Sequence, residues 1–101
     1  MHLIELLIPL LDNAGVAFPD HLHNLVRSEL TQQFGGVTAF RRAPAEGVWK
    51  HEGGVDRDQI VIFEVMSAAL DRGWWSRYKS RLETRFKQDE IVIRAFEFEQ
   101  L

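Results

Sequence analysis

Apolar and polar positions repeat with two different periods along the chain, and the switches between them mark out its elements. From His2 to Leu10 (HLIELLIPL) apolar residues run almost unbroken and stop at Asp12-Asn13-Ala14-Gly15. A short apolar run closed by turn residues predicts a strand covered on both faces. Successive strand side chains point to opposite sides, so Ile4, Leu6 and Ile8 share one face and Leu3, Glu5 and Leu7 the other. Pro9 has no N–H to donate, and pairing is expected to end near it.

Beyond the turn the period lengthens. Leu22, Leu25, Val26, Leu30 and Phe34 recur at helical spacing, with Pro19 suited to the first helical position. Gly35-Gly36 closes the helix, because glycine takes the left-handed C′ conformation without a Cβ clash. Val37 to Arg42 returns to strand, with Ala43-Pro44-Ala45 as a bulge or edge irregularity, and Gly47 to His51 resumes it. Glu52-Gly53-Gly54 predicts a turn, and Val55 to Met66 the returning arm of a long hairpin. In that arm Val61, Phe63 and Val65 oppose Ile60, Ile62, Glu64 and Met66. Ser67 or Asp71 caps a second helix, on which Trp74, Trp75, Tyr78, Leu82 and Phe86 fall in one arc. Ile91 to Glu99 is a last strand, with Ile91, Ile93 and Ala95 against Val92, Arg94, Phe96 and Phe98.

The order β-α-β-β-α-β predicts an α+β protein with the split βαβ, ferredoxin-like plait, as one domain over residues 1–101. Right-handed crossovers would place both helices on one face of a four-stranded antiparallel sheet of order 4-1-3-2. Ile4, Leu6, Ile8, Val61, Phe63, Val65, Ile91 and Ile93 are then the core. Leu3, Glu5, Leu7, Ile60, Ile62, Glu64, Met66, Val92, Arg94, Phe96 and Phe98 are left on an open face too apolar for water. Two readings of that face stand side by side. One is a homodimer interface with its carboxylates and arginine paired. The other is a ligand cleft in which Glu5 or Glu64 is a catalytic base, since two close carboxylates raise one pKa into a useful range.

Composition narrows this picture. A chain of 101 residues buries a modest core, which makes self-association a reasonable source of further burial. The chain has no cysteine, which excludes thiol chemistry and disulfides and fits a reducing cytoplasm. The apolar run at the N-terminus lacks a basic start, carries Glu5 and is too short to span a bilayer. A net charge of −3 argues against membrane-surface and nucleic-acid partners. Basic residues do cluster from Arg72 to Lys87, where Arg77, Arg81 and Arg85 form a stripe. It reads as a solvated helix face beside the aromatic arc, with Lys79, Glu83 and Lys87 spaced for weak pairing.

Candidate chemistry concentrates in the hairpin. Arg41, Arg42, Glu46, Trp49 and His51 form its densest polar group. They read either as a loop recognising a small anionic ligand, by arginine fork and tryptophan wall, or as exposed charges paired with Asp56, Arg57 and Asp58. Arg94 is a second anion-binding candidate. His21 and His23 lie two apart on a helix and make a poor metal pair; with no ligand spacing elsewhere, neither metal nor cofactor is expected.

Gly47-Val48-Trp49, Gly53-Gly54 and Arg57, followed by Tyr78-Lys79, Arg85-Phe86, Gln88, Glu90 and Val92, resemble a pattern in small uncharacterised bacterial proteins of a domain-of-unknown-function family. Tyr78 and Phe86 are farther apart here than in that pattern. The resemblance runs through the C-terminal part of the chain and implies an α/β plait and a bacterial origin, without an activity. A looser similarity at fold level is to dimeric α/β-barrel proteins, among them cofactor-independent monooxygenases and isomerases. The expectation is a homodimeric plait that binds a small ligand or acts structurally, the alternative a cofactor-independent enzyme on a small organic acid.

Overall fold

The core is built from alternate residues of the central strands, and the helices close over them. The computed structural model describes residues 1–42 and 59–101. Its elements are β1 (His2–Pro9), α1 (Asp20–Phe34), β2 (Thr38–Arg42), β3 (Ile60–Ser67), α2 (Arg72–Arg85) and β4 (Val92–Glu97). They form a four-stranded antiparallel sheet in the order β2-β3-β1-β4, which counted from the β4 edge is 4-1-3-2. The bulge expected at Ala43-Pro44-Ala45, the strand from Gly47 to His51, the turn at Glu52-Gly53-Gly54 and the first residues of the returning arm lie outside the described residues.

Ile4, Leu6, Ile8, Val61, Phe63, Val65 and Ile91 join Val26, Leu30, Trp75, Tyr78, Leu82 and Phe86 in one buried cluster. Both helices contribute to it, so both cover the same sheet face. Ile93 packs on the cluster from its margin. Burying an aliphatic or aromatic side chain of this size stabilises the fold by about 1.5–3 kcal/mol. The helices also meet directly. The Phe34 ring stacks on Trp75 at 5.2 Å and meets Trp74 edge-on at 5.2 Å. No helix among the described residues is long and apolar enough to cross a membrane.

Several boundaries differ from expectation for local reasons. Pro19 sits at the N-cap of α1 (φ −58°, ψ 142°), not at its first helical position. Its extended ψ leaves its carbonyl free to accept from Leu22 N–H. Leu25 is 43% exposed because it lies beside, not within, the arc formed by Leu22, Val26, Leu30 and Phe34. Asp71, not Ser67, caps α2 and accepts from Trp74 N–H at 3.0 Å, while the Ser67 hydroxyl donates to the Ala69 carbonyl. β4 begins at Val92 because Ile91 N–H donates to Glu83 Oε2 instead of to the sheet. Gly35 ends α1 in the left-handed region at φ 82°, as its sequence position predicts. Lys79 pairs with Glu83 at 3.9 Å and more closely with Glu90 at 2.8 Å. Lys87 takes no part in this: it stands at φ 52° just past α2.

Candidate functional site

Strand register aligns one polar row across all four strands of the open face. Thr38 on β2 lies opposite Glu64 on β3, Glu64 opposite Glu5 on β1, and Glu5 opposite Arg94 on β4. Arg94 Nε–H donates to Glu5 Oε1 at 2.8 Å, and its guanidinium lies 5.7 Å from the Phe96 ring centroid. Glu5 is the sheltered partner of this pair, its side chain 14% exposed.

Apolar rows flank the polar one. On one side stand Phe40, Ile62, Leu7 and Val92, and on the other Met66, Leu3 and Phe96, each placed directly across from its neighbour. Ile62, between Phe40 and Leu7 in its row, is buried, while Phe40, Met66, Val92 and Phe96 are 43–52% exposed. The open face is thus a band of charge between two apolar bands.

Two carboxylates directly opposite one another cannot both ionise freely. A hydrogen bond from Glu64, then the Arg94 guanidinium, hold the Glu5 carboxyl below its ordinary value. The same Glu5 hydrogen bond, with desolvation and charge repulsion behind it, pushes Glu64 up. The two shifts are opposite in sign, so on acidification Glu64 takes up a proton before Glu5, whose charge Arg94 balances. Glu64 also borders a groove of about 390 Å³ together with Thr38 and the Gly35-Gly36 backbone. A carboxyl raised above its ordinary value beside a groove is suited to exchange a proton with a bound molecule.

The other sequence candidates are distributed differently. Arg41 lies opposite Val61 and so shares the helix-side face, away from Glu64. It lines a cavity of about 430 Å³ with Arg27, His23 and Asn24 over a floor that includes Phe18 and Phe63. Arg41 therefore does not share a face with Glu64; the parity of β2 turns it the other way. Glu46, Trp49 and His51 lie outside the described residues. His23 Nε2 is hydrogen-bonded to the Pro9 carbonyl at 2.9 Å, and its ring packs on Phe18 and Phe86. Among the described residues no three histidine, aspartate or glutamate side chains gather as a metal set.

Two participants escape a reading of the sequence. Thr38 completes the polar row, yet nothing in the segment before it announces its partner. Glu29 on α1 draws the basic stripe of α2 inward: Arg85 binds both its carboxylate oxygens at 2.7 and 3.0 Å, Tyr78 donates its hydroxyl at 2.9 Å, and Arg81 stands 3.6 Å away. Arg85 is therefore a half-buried bridge between helices and not part of a solvated face. The signal for Glu29 is its place on the helical wheel next to Leu22, a charge at the edge of the apolar arc. The chain matches no protein-family model, no curated protein and no solved structure.

Proposed function

We propose that the chain is a ferredoxin-like α/β plait that works as a homodimer, its two open sheet faces packed together and a small anionic ligand held at that surface. The carrying observation is the arrangement of the open face: a row of two carboxylates and an arginine lies between two apolar rows whose outer members are about half exposed. Exposed apolar patches rimmed by polar groups mark association surfaces, and a patch on a small symmetric module most often meets its own copy. Arg94 gives Glu5 only its Nε–H; among the described residues its other donors make no hydrogen bond, which suits them to an incoming anion. Sedimentation equilibrium from micromolar to millimolar concentration tests the reading. A concentration-dependent dimer is expected, and a monomer across the whole range would refute it.

A second reading draws on Glu64 alone. A carboxyl raised above its ordinary value beside a groove fits a cofactor-independent enzyme that moves a proton on a small organic acid, with Glu64 as the acid–base group. Incubating the protein with keto and hydroxy acids in deuterated water, and following loss of the α-proton signal by NMR, tests it. Exchange that disappears in Glu64→Gln supports the reading; exchange equal to the buffer rate across the panel removes it.

A further inference from the structure

The charged part of the polar row, inside Thr38, has a direction: Glu64 at one end, Arg94 at the other and Glu5 between them. In a face-to-face pair the two-fold axis must lie between the sheets and parallel to them. Neighbouring strands are about 4.8 Å apart, so Glu64 and Arg94 stand one strand spacing to either side of Glu5. An axis running along β1 at Glu5 exchanges the two ends of the row. An axis running across the strands does not; it sets Arg94 over its own copy, and likewise each glutamate, giving three contacts between like charges. Crossed packing at right angles, with a diagonal axis, superposes only the centre of the row and turns both ends away.

We propose that two copies pack about the axis along β1, so that Arg94 of each copy faces Glu64 of the partner subunit. This rests on the reading of the open face as the self-association surface and adds its orientation. The same rotation matches the apolar rows: Ile62 faces Val92 of the partner subunit and Met66 faces Phe96 of the partner subunit. The one contact between like charges is at the axis, where Glu5 meets Glu5 of the partner subunit. That is also the carboxylate whose charge is already balanced within its own chain, by Arg94 at 2.8 Å. Rotation about β1 overlaps β3, β1 and β4 with their copies and leaves β2 outside, so the shared face is on the order of 15 Å by 20 Å, the size of a weak, reversible interface. At that size the arrangement of charge decides which orientation forms.

The test is sedimentation equilibrium on the full chain with charge-reversed variants. Glu64→Arg and Arg94→Glu each place two like charges at the reciprocal contacts, and each alone is expected to weaken association at least tenfold. The double variant Glu64→Arg/Arg94→Glu restores both contacts with the signs exchanged and is expected to return association to within a few-fold of the parent. Mixing the two single variants in equal amounts is expected to give heterodimers, since each then supplies what the other lacks. If Arg94→Glu does not fold, as judged by circular dichroism, Arg94→Gln replaces it: mixed with Glu64→Arg it is expected to form heterodimers more tightly than Glu64→Arg associates with itself. A parent dimer whose single variants associate as tightly as the parent overturns the orientation and leaves the interface standing. A parent that stays monomeric overturns the interface itself.

Discussion

Arg85 grips Glu29 across the helix pair, its two guanidinium nitrogens 2.7 and 3.0 Å from the two carboxylate oxygens. The contact is sheltered, with side chains 13% and 24% exposed, and Tyr78 and Arg81 close around it. Burial pushes the Glu29 carboxyl up, but the Arg85 and Tyr78 hydrogen bonds and the two guanidinium charges outweigh it and hold the group below its ordinary value. A depressed carboxyl contributes stability above its unfolded-state pKa and loses it as pH falls through the folded-state value. Glu29→Gln is therefore expected to cost about 2 kcal/mol near neutral pH, because Arg85 keeps its charge and loses its counter-ion. The cost should shrink steadily below about pH 4. Urea denaturation across that range checks it; a cost independent of pH would show that Glu29 acts by packing alone.

The opposed carboxyls of the open face predict the opposite limb. Glu64 is raised, so its contribution is complete below its unfolded-state pKa and is lost as pH rises through the folded-state value. Glu64→Gln removes the charge that would otherwise oppose Glu5, and a gain of roughly 0.2–1 kcal/mol is expected at neutral pH, fading in acid. Carboxyl carbon titration by NMR should find Glu64 above the ordinary glutamate range in the parent. In Glu5→Gln it should return toward that range. A Glu64 that titrates normally in the parent would falsify its coupling to Glu5.

How much of this was legible beforehand follows from which distances matter. Period-two alternation places Ile4, Leu6 and Ile8 opposite Leu3, Glu5 and Leu7 without any knowledge of partners, because the pleat is local. The same parity puts Glu64 and Arg94 on the open face. The face of Arg41 is not legible in this way, because its strand, TAFRR, sets Ala39 and Phe40 on opposite sides and apolar character gives no parity to read. Glu29 was missed because its meaning depends on Arg85, 56 residues away, and only the helix-helix approach brings them together. The alignment of Thr38, Glu64, Glu5 and Arg94 is a matter of register between strands, which residue types alone leave open.

The two helix ends make contrasting demands on the backbone. Gly35 ends α1 at φ 82° with nothing within 4 Å of where a Cβ would lie, so Gly35→Ala is expected to lose about 1 kcal/mol by conformation alone. Lys87, past the end of α2, holds φ 52°, and among the described residues its side chain makes no hydrogen bond or ion pair that requires that conformation. Lys87→Gly is expected to gain up to about 1 kcal/mol. Thermal unfolding of the two variants should move the midpoint in opposite directions, and a shift of the same sign in both would contradict the account.

Phe34 is the last residue of α1 and the point where the helices lock. It stacks on Trp75 with ring planes 10° apart and meets Trp74 at 87°, so one ring satisfies two aromatic geometries at once. Trp74 in turn stacks on Tyr78 at 4.9 Å, which carries the hydroxyl that reaches Glu29. Truncation by Phe34→Ala removes both ring contacts and leaves a gap between helices, at a cost of about 3 kcal/mol. Phe34→Leu keeps most of the apolar area and loses the ring pairing, expected at about 1 kcal/mol. Tryptophan near-ultraviolet circular dichroism should change in both variants, because the asymmetric setting of Trp74 and Trp75 depends on the ring and not on the area. Equal stability losses in the two variants would mean that the stacking contributes nothing beyond burial.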